Sequence, residues 1–102
     1  MPPHSYAIPR RRTPGNVYIL EGDFGWYKIG SSKNLKSRVK QIGREMTFNV
    51  KLYYTVETNN MHDLEMHLHK YYKEKRIWNE WFRLDENDLM TAAMIMDTFY
   101  GK

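Results

Sequence analysis

Two short apolar stretches, Val17–Leu20 and Trp26–Gly30, stand either side of a segment, Glu21–Gly25, that holds two glycines and an aspartate. Those residues ease the backbone through a reversal, so the pattern predicts a β-hairpin. Ser31 to Asn34 then offers side-chain oxygens that accept from the first amides of a helix. Leu35, Val39 and Ile42 recur at i, i+4 and i+7, the apolar stripe of a helix reaching about Gln41 or Ile42. Gly43 stands where a left-handed cap would end it. Phe48, Val50, Leu52, Tyr54 and Val56 alternate with Asn49, Lys51, Tyr53, Thr55 and Glu57, which predicts a strand with one buried face. Asn59 or Asn60 can cap a second helix with Met61, Leu64, Leu68 and Tyr71 as its core stripe.

Trp81–Leu84 reads as one more short extended piece. Asp85 opens a third helix, with Glu86 and Asp88 in a first turn whose dipole favours carboxylates. Its inward face is Leu89, Ala92, Ala93, Met96 and Phe99. The expected fold is α/β in the α+β sense, a small antiparallel three-stranded sheet flanked by helices, in the order β-β-α-β-α-(β)-α. With 102 residues there is room for one core, and a chain 41% hydrophobic and 15% aromatic is too apolar for disorder. Residues 1–14 read as a basic flexible arm and 15–102 as a single domain. There is no cysteine, which excludes disulfides and thiolate metal sites. No apolar run approaches the ~18 residues of a membrane span. Met1–Arg12 carries Pro2, Pro3 and Pro9 and no apolar centre, unlike a secretion signal. The cytoplasm is the expected compartment.

Sixteen basic against 12 acidic residues give a net charge of +4. The surplus favours an acidic partner, nucleic acid above all, although many basic proteins bind nothing anionic. Its distribution says more. Arg10, Arg11 and Arg12 form one run, and Lys28, Lys33, Lys36, Arg38, Lys40 and Arg44 crowd another segment.

Asn16-Val17-Tyr18 and Lys28-Ile29-Gly30 fall on the two strands of the expected hairpin. Arg38 comes eight residues after Gly30, on the first helix. Leu64-Glu65 and Leu68-His69 follow on the second, and Glu80-Trp81-Phe82 later still. In this order and spacing the residues resemble the GIY-YIG endonuclease superfamily, in particular a phage-associated branch whose second motif reads KIG. The resemblance runs from about Gly15 to Leu84. It implies a GIY-YIG-like domain, a bacterial or phage-infected host cell, and a metal-dependent endonuclease that hydrolyses phosphodiester bonds in nucleic acid, DNA first, with low sequence specificity. It places one divalent ion, Mg²⁺ or Mn²⁺, on Glu65, charge stabilisation on Arg38, and orientation or deprotonation of the attacking water on Tyr18. Lys28 stands where the name-giving motif has a second tyrosine, and would lower the pKa of Tyr18 or hold the phosphate. Asn16 replaces the first glycine, with Gly15 one residue early. His69 would partner Glu65 or bind phosphate, and Asn79 loosely matches an asparagine that closes the core in some relatives. Lys33, Lys36, Lys40 and Arg44, with Arg10, Arg11 and Arg12 of the arm, would hold the nucleic-acid backbone.

Elementary chemistry is consistent with these assignments. Arg38 lies about 60° from Leu35 on the helical wheel, a rim position from which a guanidinium leaves the core while its stem stays packed. Glu65 sits beside Leu64 at a similar rim, and carboxylate oxygen is the donor that Mg²⁺ and Mn²⁺ prefer. A tyrosine of ordinary pKa, about 10, needs cationic neighbours to act as a base, and Lys28 and Arg38 are the expected ones. Tyr27 cannot replace Lys28, because adjacent strand residues face opposite ways. His62, Glu65 and His69 share one helical arc, but no fourth zinc ligand accompanies them. Glu80, Trp81 and Phe82 are expected to be structural, the two aromatics closing the core.

Each residue also has a plainer role: a solvated arginine, a surface glutamate paired with Lys70, an aromatic on a half-buried strand. Two rival functions follow from those, a nucleic-acid-binding module that has lost chemistry and a protein-interaction or assembly protein.

Overall fold

The computed structural model describes residues 13–99, so most of the expected arm, including Arg10, Arg11 and Arg12, lies outside the described residues. Thr13 is already anchored: it bridges Asn60, with its N–H donating to the Asn59 carbonyl at 2.9 Å.

Strands β1 (Gly15–Glu21) and β2 (Trp26–Ser32) form the expected hairpin. The reversal between them uses left-handed backbone at Phe24 (φ 60°) and Gly25 (φ 76°). Helix α1 (Leu35–Glu45) follows, with Asn34 Oδ1 accepting from the Ser37 N–H at 3.2 Å. It runs through Gly43 rather than ending there. Only Gly25 among the described glycines has positive φ, and the Met46 N–H still donates to the Ile42 carbonyl. Met46 packs beside Ile42, so burial carries the helix past the residue whose type signals a stop.

Strand β3 (Lys51–Thr58) pairs with β1, helix α2 (Met61–Tyr71) follows, and a 3-10 turn (Lys73–Lys75) leads to β4 (Arg76–Trp78), β5 (Trp81–Arg83) and helix α3 (Glu86–Thr98). The sheet therefore has five strands, in the order β3-β1-β2-β5-β4, not the three expected. The single extended piece near Trp81 is a second hairpin: β5 pairs antiparallel with β2, and β4 folds back on β5. Its strands are three residues each, too short for a period-two signal, and every residue of β4 is exposed. Asn79 turns the chain with φ 50°, a conformation asparagine tolerates better than most residues.

Helices cover both faces of the sheet. Val17, Ile19 and Ile29 pack with Leu64 and Leu68 of α2 and Leu89, Ala92 and Met96 of α3. On the opposite face Tyr18 and Leu20 pack with Ile42 and Trp81, and with Leu35 and Val39 of α1. That is why β1 reads as a continuous apolar run instead of alternating. The segment from Phe48 to Glu57 behaves differently from expectation for a related reason. The ladder skips Tyr53, so Ile19 opposes Tyr54 while Leu20 opposes Leu52. An extra residue reverses the facing of all that precede it. Tyr54 and Val56 thus join the larger core, whereas Phe48 and Val50 join the smaller one. Asp85 caps α3 as expected, in a reciprocal box: its Oδ1 accepts from the Asp88 N–H at 2.8 Å, and Asp88 Oδ2 accepts from the Asp85 N–H at 2.9 Å. No helix among the described residues is long and apolar enough to cross a membrane.

Candidate active site

The short reach of β5 shapes the site. Strand β5 pairs with β2 only along Trp26–Lys28, and the last ladder contact is the Ile29 N–H donating to the Glu80 carbonyl at 3.1 Å. Beyond it the edge of β2 is open, and groups from both faces of the sheet meet there. His69 of α2 fills the first unpaired position, its Nε2 lying 2.8 Å from the Ile29 carbonyl. A carbonyl only accepts, so Nε2 carries a proton in this arrangement. Glu65, one turn earlier, accepts from the Ser31 hydroxyl and has Oε2 at 3.6 Å from the same His69 nitrogen.

Tyr18 reaches this edge from the opposite face. It lies across from Gly30 in the hairpin register. A β-carbon on Gly30 would come within 2.5 Å of the Tyr18 hydroxyl oxygen and 2.7 Å of Cζ, so the phenol occupies the volume a side chain would take. The tyrosine of the first motif and the glycine of the second are thus one packing unit. The tyrosine is fully buried, and Arg38 of α1 is the cation that bears on its hydroxyl. Arg38 is itself exposed, at the rim expected for it, and its Nη1 donates to Gln41 Oε1 at 3.3 Å.

Burial pushes the Tyr18 pKa up to about 12; Arg38 pulls it down, but Glu80 and Glu65 push it further up. The expected lowering is therefore not found. Lys28 leaves the sheet on the same face as Tyr18 but is engaged elsewhere: its Nζ lies 3.1 Å from Glu80 Oε1 and 5.8 Å from the centre of the Trp81 ring. Tyr27 faces the other way and packs against Tyr53, as the alternation requires.

Glu80 is the residue that sequence reasoning missed. Its neighbours Trp81 and Phe82 are buried core aromatics, as expected. Its own carboxylate turns toward Glu65 and His69, and one ligand atom from each of the three lies within 4.8 Å of the others. The pKa of Glu65 is raised, first by burial and then by Glu80, against the lowering pull of Ser31 and His69. Two carboxylates facing one another over partly buried space are a donor set that a hard cation suits, because each otherwise destabilises the other's charge. The Nε2 atom of His69 is not available as a third ligand while its proton is committed to the Ile29 carbonyl, and it stands 3.6 Å from Glu65 Oε2. His62 is not part of this group, so the arc noted for zinc is not assembled. Asn79 lines a shallow cleft with Lys28, His69, Arg76 and Glu80.

Tyr18, Lys28, Arg38, Glu65 and His69 are thus brought together at one edge, with Ser31 and Glu80 added. Lys36, Lys40 and Arg44 are exposed on α1, and Lys33 lies just before it, bordering a second cleft with Asn16 and Glu57. Ser31 carried a faint signal, standing directly after the motif glycine. Glu80 carried one as a charge set between a turn asparagine and two core aromatics.

Residues 15–96 match the family described as the T5orf172 domain. No curated protein and no solved structure matches the chain.

Proposed function

The chain belongs to the T5orf172 domain family, a phage-associated nuclease-like domain, and from that premise we propose that it is a metal-dependent endonuclease of GIY-YIG type, hydrolysing phosphodiester bonds in DNA with little sequence preference. The observation that carries this reading is the convergence of Tyr18, Arg38, Glu65 and Glu80 at the open edge of β2. Each comes from a different segment of the chain, and the three charged ones lie outside the core clusters.

Glu65 and Glu80 would hold one Mg²⁺ or Mn²⁺ ion, with water and phosphate oxygens completing the shell. When bound, such an ion supplies Lewis acidity at the phosphate and stabilises the leaving oxygen. Ser31 holds the Glu65 carboxylate in place, and His69 stands beside it. Arg38, exposed above the phenol, grips the scissile phosphate and offsets charge that develops on it. Tyr18 is protonated at neutral pH, so its hydroxyl orients the attacking water, whose proton passes to a phosphate oxygen or to solvent rather than to the phenol. Lys28 bridges Glu80 and the approaching phosphate. Exposed Lys33, Lys36, Lys40 and Arg44 hold the flanking backbone, which positions DNA without reading its sequence.

The test is cleavage of plasmid, single-stranded and branched DNA with Mg²⁺, Mn²⁺ or EDTA. Wild type is expected to cut only with a divalent ion, and Glu65→Ala to lose at least ~100-fold of the rate, since removing a ligand removes the charge stabilisation it organises. One observation favours a rival, a binding module without chemistry: the Lys28 ammonium already neutralises Glu80. DNA binding with no cleavage under any ion, unaltered by Glu65→Ala, would establish that rival.

A further inference from the structure

Strand β4 is one of the two edge strands of the sheet, and Trp78 at its end is 56% exposed. An indole offers more apolar area than most side chains and is ordinarily covered. Here no other ring packs against it among the described residues, although aromatic pairs are frequent elsewhere in the molecule. The register gives its direction. Trp78 opposes Trp81, and Trp81 opposes Lys28, so the three leave the sheet on one face, in a row from the outer edge to the Lys28–Glu80 pair. Neighbouring strands are ~4.8 Å apart, which puts Trp78 roughly 10 Å from Lys28. A stacked strand covers that in about three nucleotides at ~3.4 Å each.

The surroundings suit a polyanion. Lys28 leaves that same face, and helix α1, which packs on it, carries exposed Lys36, Arg38, Lys40 and Arg44. A flat aromatic at the surface flanked by cations is how proteins hold single strands, the ring taking a base and the cations the backbone. Inside a duplex the faces of the bases are already stacked and only their edges show. A surface indole therefore has nothing to stack on unless a base is unpaired, terminal or extruded.

We propose that Trp78 is a stacking platform for an unpaired base about three nucleotides from the scissile phosphate, and hence that the substrate class is single-stranded DNA or DNA with unpaired bases at the cut. This rests on the nuclease reading above. The experiment measures binding of a labelled single-stranded oligonucleotide and a blunt duplex of equal length to the full chain in EDTA, where no cleavage is expected. Trp78→Ala and Trp78→Leu are expected to weaken single-strand binding ~5- to 150-fold, the range for one base–aromatic stack, and to leave duplex binding unchanged. Trp78→Phe keeps a ring and is expected to stay within a few-fold of wild type. Leucine separates stacking from mere apolar bulk. Equal single-strand affinity in wild type and Trp78→Ala overturns the proposal, as does parallel loss on both ligands, or a leucine variant that binds like phenylalanine. If Glu65→Ala still abolishes ion-dependent cleavage, the nuclease reading survives that failure. Wild type that binds neither oligonucleotide at low salt, and needs Trp78 to capture a protein instead, ends both.

Discussion

A methyl group at position 30 would collide with the phenol that gives the site its hydroxyl, and the collision has no easy relief. The Tyr18 ring is fully buried against Ile42 and Trp81, so it cannot swing aside as a lysine would. Gly30→Ala is expected to destabilise the fold by about 1–3 kcal/mol, the usual cost of overpacking, and to lower cleavage together with it. Tyr18→Phe separates the two effects. It keeps the ring and its packing beside Gly30 but removes the hydroxyl, so the melting temperature should move little while the cleavage rate falls by roughly 100-fold, the lower end for loss of one positioned hydrogen-bond donor. Chemical denaturation and single-turnover cleavage check the pair, and equal loss of both properties in Tyr18→Phe would sink the assignment. At this scale Tyr18, Lys28, Arg38 and Glu65 could be picked out as candidates, because residue type and spacing within each motif are local. The pKa direction of Tyr18 was not legible, because it depends on how much protein covers the ring from α1 and β5. Nor was the pairing of Ser31 with Glu65, which are 34 positions apart.

Among the elements, the start of α3 was legible in Asp85, Glu86 and Asp88, since an N-cap and its acidic first turn are written within a few adjacent residues. Its Asp88 does more than cap. Lys75 Nζ lies 2.7 Å from Asp88 Oδ2 and the Tyr72 hydroxyl donates to its carbonyl at 2.8 Å, tying the 3-10 turn before β4 to the helix. Burial pushes the Asp88 pKa up, but Lys75 and the Asp85 N–H outweigh it, and the net direction is below the ordinary 3.8. A depressed folded pKa contributes stability above the unfolded value and loses it as pH falls through the folded one. Asp88→Asn is therefore expected to cost about 1–2 kcal/mol at pH 7, from the weakened charge-assisted bonds to Lys75, and progressively less below pH 3.8. Urea midpoints across that range test it; a gap that widens on acidification contradicts the assignment. The β4–β5 hairpin and the skipped Tyr53 were the opposite case. Three-residue strands have no readable period, and a bulge breaks the alternation that would reveal which face is buried.

Taken whole, the molecule is a sheet covered on both faces, with the candidate site residues gathered where one inner strand outruns its neighbour. Such a place cannot be inferred from any single element, because it is defined by where β5 stops. The basic surface is a different matter, since charge on exposed residues is visible in the sequence and survives folding. Lys36, Lys40 and Arg44 lie exposed on the same helix as Arg38. If they hold phosphates, each releases condensed counterions on binding, and the slope of log affinity against log salt records their number. Replacing the three with glutamine takes the net charge from +4 to +1 and keeps a good helix former at each position. The slope should become shallower by about 2–3, at roughly 0.7–0.9 per phosphate contact, with affinity near 0.1 M salt falling more than ~10-fold. Cleavage at saturating DNA should change little, because Arg38 and the carboxylates remain. A slope that stays at the wild-type value would mean that the phosphates are held elsewhere on the molecule, with α1 supplying Arg38 to the site and nothing to the backbone.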